Sequence, residues 1–280
     1  MKESCISATL AFAAITAGTL GGCTGKSPEQ AAAQDAPAAA AQANPYEALG
    51  QLPDWSGAWE PARMARAASR AAAATAGVPP PPPPQSPQLT PTYAKQFAAF
   101  QEKNKSTPGI NFVSQVANCL PPGLPGSMNQ PYPIEFLFTP GRVTVLIETY
   151  SMARRIYTDG SEPKEPDDSY QGTSVGRWEG DTLVVQTTHI LPETSPMGGI
   201  NGHSDKMKVT ERIHLAEPDL LEIATTVEDP EVFLEPYSST TRYLRHRDWH
   251  IMEYVCAQNN RDQLDEKGNP GFSLDRKPGE

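Results

Sequence analysis

From about Pro133 onward, apolar and polar residues alternate with period two, the pattern of strands that set one face on a core and the other in water. The alternation predicts strands at Ile134–Phe138, Arg142–Tyr150, Arg154–Thr158, Ser174–Glu179, Thr182–Ile190, Lys206–Leu215, Leu220–Glu228, Thr240–His246 and Asp248–Cys256. Short links separate them at Pro140-Gly141, Asp159-Gly160, Gly180-Asp181 and Glu217–Asp219. Gly180-Asp181 has the composition of a two-residue II′ hairpin turn. Consecutive strands with tight turns and no helices between them predict a mainly β fold built as an antiparallel meander. Closure into a lipocalin-like up-and-down barrel would remove both sheet edges, and a two-sheet β-sandwich is the alternative.

The N-terminal half follows other rules. Asp54–Trp59 reads as a short strand that begins the folded part. Thr90-Pro91 reads as N-cap and first turn of a helix running to about Asn104. Tyr93, Phe97 and Phe100 on that helix fall at i, i+4 and i+7, which points to core packing. Arg63–Ala76 is Ala-rich with almost no apolar stripe and reads as an insertion; Pro79–Pro84 reads as a stiff polyproline II spacer. Residues 24–52 are rich in Ala, Gln and Pro and too poor in large apolar groups to offset ordering entropy, so they read as a disordered tether. Before them, Lys2, an apolar run from about Ile6 to Leu20, and Leu20-Gly21-Gly22-Cys23 resemble a bacterial lipoprotein signal with Cys23 as the lipidated residue. The run is shorter than the roughly 20 residues a bilayer core requires, which argues against a spanning helix. Thr24 after the cysteine, by resemblance to Gram-negative lipoproteins, implies the periplasmic face of the outer membrane. The alternative is an ordinary secretory signal and a soluble periplasmic or secreted product. The expected organisation is signal 1–22, tether 23–52, N-terminal strand, insertion and helix 53–109, barrel 110–260 and a polar tail 261–280.

The net charge of −10 and the lack of a basic stripe argue against nucleic acid as a partner and fit a soluble surface. Of the four cysteines, Cys5 leaves with the signal and Cys23 carries lipid. Cys119 and Cys256 remain, in a compartment that permits disulfides, and are expected to pair.

Strand parity places polar groups on the apolar face. Glu211 shares the parity of Met207, Val209, Ile213 and Leu215; His189 shares that of Leu183, Val185 and Thr187; Asp229 continues Leu221, Ile223, Thr225 and Val227. Glu211 and His189 are therefore candidate interior groups, whereas Asp229 before Pro230 reads better as a turn residue. An inward carboxylate needs a partner, and Arg154 and Arg155, being adjacent, face opposite ways. Tyr157 shares the parity of Arg155. His203 follows the flexible run Gly198-Gly199-Ile200-Asn201-Gly202, which suits close approach of a ligand. His203-Ser204-Asp205 is not a triad, because triad partners converge in space and are not consecutive. No phosphate loop, nucleophile elbow or metal-ligand spacing is present, the pair His246 and His250 included, so neither cofactor nor metal is expected.

Several segments resemble a widespread, largely uncharacterised family of secreted bacterial proteins. They are Cys119–Pro125, Arg154–Gly160 (RRIYTDG), Gly176–Val185 (GRWEGDTLVV), His203–Asp205, Glu211-Arg212, Glu228–Pro230 and Glu253–Cys256 (EYVC). The likeness covers about residues 110 to 260 and departs from the family pattern at Ser161 and Gln186. It implies a secreted single domain and supplies no activity.

These readings favour a binding protein for a small apolar or aromatic molecule, with His189, Glu211, Arg155, Tyr157 and Trp178 as candidate ligand contacts. The alternative is a cofactor-free hydrolase or lyase. His203 or Glu211 would act as base, with Arg155 or Tyr157 stabilising developing negative charge. A structural envelope lipoprotein is the third reading.

Overall fold

A computed structural model describes residues 44–63, 86–106, 110–111, 119–256, 262–264 and 270–273. The signal segment with Cys23, the Ala-rich stretch beyond Arg63 and the proline run Pro79–Pro84 lie outside the described residues. Eight strands follow one another along the chain: β3 (Ile134–Thr139), β4 (Arg142–Ile147), β5 (Met152–Tyr157), β6 (Thr173–Glu179), β7 (Thr182–Thr188), β8 (Lys208–Glu217), β9 (Leu220–Glu228) and β10 (Tyr237–His246). They are closed by β1 (Ala58–Pro61), which pairs with β10 through Ala58↔His246 to Pro61↔Tyr243 and with β3 through Ala58↔Glu135 and Trp59↔Ile134. The barrel predicted from alternation is present, and the short N-terminal strand is the stave that removes its last two edges.

Nine staves impose a constraint. Strand direction reverses at every antiparallel contact, so a closed ring of nine must contain a parallel one. It falls between β5 and β6, which pair only through Ile156↔Ser174 and Tyr157↔Val175. The chain must therefore travel back along the barrel between these strands. Asp159-Gly160 is not a tight link between neighbours but the start of this return, residues 158–172.

The core follows the period-two pattern. Val143, Val145 and Ile147 of β4, Leu183 and Val185 of β7, and Leu221, Ile223 and Val227 of β9 all point inward and are buried. Trp55 and Trp59, 2% and 0% exposed, bring the largest side chains into the barrel from the N-terminal segment. At the β6–β7 hairpin Glu179 pairs with Thr182, and Gly180 takes φ 60, which the first central position of a II′ turn requires.

The helix α1 (Pro91–Ser106) runs one half-turn beyond the predicted end. Tyr93 and Phe97 pack against the core cluster, and Gln96 exchanges two hydrogen bonds with the Asn201 backbone, at 3.1 and 2.8 Å. Asp248–Cys256 forms no strand, because β10 already has β9 on one side and β1 on the other. Within the expected tether, Glu47–Gln51 forms a 3-10 turn. Within the expected tail, β11 (Asp262–Leu264) and β12 (Pro270–Ser273) join β2 (Ile110–Asn111) in a separate three-stranded sheet. Cys119 and Cys256 are joined by a disulfide, with their Cα atoms 5.7 Å apart.

Candidate functional site

The inward carboxylate predicted on β8 is present, and its partner is Arg154. Register decides this: Arg154 pairs with inward Val145 and shares the parity of Ile156, so the guanidinium enters the barrel. Its Nη1 donates to Glu211 Oε1 at 3.1 Å, and its Nη2 donates to Glu211 Oε2 and, at 3.0 Å, to Thr187 Oγ1. Nε donates to Ser174 Oγ at 3.1 Å, and the Ser174 and Thr187 hydroxyls are 2.8 Å apart. Arg154 is 1% exposed and Glu211 0%. Tyr243, also inside, donates its hydroxyl to the Met128 carbonyl; burial, reinforced by the Glu211 charge, pushes its phenol pKa up. Both Glu211 oxygens are engaged by one guanidinium, so the carboxylate is not placed to take a proton from a substrate. This network, with the aliphatic and indole side chains around it, fills the interior that was expected to hold a ligand.

Three candidates lie outside the barrel interior, of which His189 was expected within it. Arg155 and Tyr157 lie on the outer face of β5, because Arg154 and Ile156 take the inward positions. His189 lies beyond the end of β7 with φ 54, a reversal that breaks the strand parity and turns its side chain outward. Trp178 does face inward but at the far end of β6 from Thr173, roughly 17 Å along the strand. There it packs with Trp55 and Phe138, ring centroids 5.3 and 5.8 Å away, and closes that end of the barrel.

His203 is a loop tie. Its Nδ1 lies 2.8 Å from the Ser204 carbonyl, which only accepts, so Nδ1 carries a proton. In the neutral ring Nε2 then accepts from the fully buried Thr194 hydroxyl at 3.1 Å. Asp229 fits the turn reading: it accepts from the Ser204 amide and hydroxyl at 2.7 and 2.9 Å and from the Glu231 amide at 2.9 Å. The candidate catalytic groups are thus divided among the core, a buried loop and the outer wall, and do not converge on one reacting centre.

Arg155 and Tyr157 instead meet in a cleft of about 410 Å³ beside the parallel seam. The two parallel residue pairs join the C-terminal end of β5 to the N-terminal end of β6, so the N-terminal part of β5 has no β6 neighbour, and the end of the returning chain lines the gap beside it. Ala153, Arg155 and Tyr157 form one wall; Tyr170, Gln171 and Gly172 form the other; Pro121 and Pro163 add apolar surface. The return is pinned by Ser169, whose amide donates to the His189 carbonyl at 3.0 Å and whose carbonyl accepts from the Leu191 amide at 3.0 Å. Gln171 Nε2 donates to Ser127 Oγ at 3.0 Å, and the Leu124 amide donates to the Tyr170 carbonyl at 2.9 Å, which holds residues 121–127 against the cleft. Arg155 carries the cleft's single charge and makes no hydrogen bond or ion pair among the described residues.

Tyr170, Gln171 and Pro121 were not singled out by sequence reasoning. The signal was the distance between Tyr157 and Thr173, far longer than the neighbouring hairpin turns, which marks a crossover. Among the described residues no cluster of three or more His, Cys, Asp and Glu is placed to hold a metal ion. No protein-family model matches the chain, and no curated protein matches it.

Proposed function

We propose that this chain is a lipid-anchored β-barrel protein of the periplasmic face of the outer membrane, and that it holds a small apolar or aromatic organic molecule in the cleft beside β5. The cleft carries this reading. It combines largely apolar walls, a volume of about 410 Å³ and one guanidinium without a partner among the described residues, the make-up of a small-molecule site. Large side chains and the Arg154–Glu211 network occupy the barrel interior. The anchor is supported by the Leu20–Cys23 pattern, and the oxidising compartment by the Cys119–Cys256 bridge.

Native mass spectrometry of the full chain purified from its envelope fraction tests the binding reading. A non-covalent adduct of a few hundred daltons, released on denaturation and absent from an Ala153→Trp variant that fills the cleft, is the expected result. A clean apo mass that stays clean after incubation with envelope extract would sink it. The anchor is tested separately by incorporation of labelled fatty acid, which is expected in the wild type and lost in Cys23→Ala.

A further inference from the structure

The charge layout of the cleft narrows the ligand. Of its lining side chains only Arg155 is ionised at neutral pH, and no carboxylate lines the walls. A guanidinium presents a planar fork of donors that matches a carboxylate with two parallel hydrogen bonds. Arg154, the adjacent residue, makes that same two-pronged contact with Glu211 inside the barrel. On the outer face Arg155 has no such acid among the described residues. Beside it, Tyr157 and Tyr170 supply ring surface, and Ala153, Pro121 and Pro163 supply aliphatic surface.

The approach to the cleft is electrostatically selective. The returning chain carries Asp159, Glu162, Glu165, Asp167 and Asp168 against Lys164, all six exposed and none of them lining the cleft. A negative rim opposes di- and trianions, while one guanidinium inside rewards a single negative charge. Phosphates and dicarboxylates fit this arrangement poorly.

We infer that the seam cleft selects a small monocarboxylate with an apolar body, its carboxylate on Arg155 and its body between Tyr157, Tyr170 and the prolines. This inference rests on the cleft being the ligand site.

Isothermal titration calorimetry of the full chain with cinnamate, the neutral isostere cinnamamide and inorganic phosphate tests it. Cinnamate is expected to bind about tenfold or more tighter than cinnamamide, the scale of one charge-assisted contact, with phosphate not binding. Arg155→Met is expected to remove that preference, so that cinnamate and cinnamamide bind within about twofold of each other in the variant. Equal affinity for acid and amide in both proteins, lost in Ala153→Trp, would overturn the charge selection and leave the cleft as the site. Tighter binding of phosphate than of cinnamate would also overturn it. Failure of both cinnamate and cinnamamide to bind would overturn the inference and the cleft reading together.

Discussion

Arg154 and Arg155 are consecutive on β5 and lie in opposite environments: Arg154 is 1% exposed and locked to Glu211 inside the barrel, while Arg155 stands in an outer cleft with no ion-pair partner among the described residues. The pleat alone separates them, and their mutants should separate as cleanly. Arg154→Met leaves the Glu211 carboxylate buried without its partner and is expected to cost about 3–5 kcal/mol. Arg155→Met removes an exposed, unpaired charge and should change stability by no more than about 0.5 kcal/mol. The double variant Arg154→Met with Glu211→Leu removes both charges and is expected to recover most of the loss. Urea unfolding of the four proteins decides. Equal stability of the two single variants would contradict the burial of Arg154 against Glu211, and a larger loss in Arg155→Met would show that the assignment is reversed.

Gly172 marks where the return joins β6. It takes φ 62, and a Cβ there would lie 2.5 Å from the Thr188 carbonyl oxygen and 2.7 Å from Ile190 Cγ1. The obstacle is backbone on one side, so it cannot rotate away. Gly172→Ala is expected to lose about 1–3 kcal/mol from the combined strain and clash. It should also weaken ligand binding, because Gly172 lines the cleft. A variant as stable as the wild type, with unchanged affinity, would mean the return does not pack on β7 as described.

Tyr132, Tyr150 and Tyr254 form a contact series with ring centroids 5.1 and 5.3 Å apart. Burial, then the neighbouring Tyr132, pushes the Tyr254 phenol up to about 12; burial pushes Tyr150 up as well. The folded value lies above the ordinary value of about 10, so the neutral phenols favour the folded state. Their contribution is complete below about pH 10 and is lost as pH rises through the folded values. Ultraviolet difference titration should show Tyr254 ionising well above the ordinary value for a phenol. Tyr254→Phe should flatten the alkaline loss of stability. Ionisation of every tyrosine in one step at the ordinary value, in folded protein, would contradict the packing of this series.

The barrel was legible in the sequence because alternation survives almost everywhere: Glu211 inward and Arg212 outward follow from Val209 and Ile213 alone. Parity also stated that one of Arg154 and Arg155 is internal. It did not say which, since that depends on the pairing of β5 with β4. His189 was misplaced because parity holds only while the strand is extended, and one residue at φ 54 ends it. The cleft was hidden for a different reason. It arises from the closure of nine strands, a property of the whole ring that no local pattern contains. His203 looked available because glycines precede it, whereas its ring is satisfied by Thr194 and Ser204.

The disulfide ties the segment after β10 to the one that leads into the cleft. Cys119 lies two positions before Pro121, and Cys256 ends the segment that follows β10. The hydrogen bonds of that segment near Cys256 include the Met252 amide to Glu148 Oε2 at 3.0 Å and two long contacts between Ser151 Oγ and the Tyr254 backbone, each 3.4 Å. The bridged cysteines are 137 positions apart, so the crosslink restrains the unfolded chain strongly. Chain entropy assigns it about 4–5 kcal/mol. Replacing both cysteines with Ser should lower the urea midpoint accordingly. Hydrogen exchange should then speed most in residues 119–124 and 250–256, which lose their covalent tie, and less in the central pair β8 and β9, whose opening requires the whole barrel to unfold. Cinnamate affinity should fall with the loosening of the Pro121 wall. An unchanged midpoint together with unchanged exchange in both segments would show that the bridge neither stabilises the barrel nor supports the cleft.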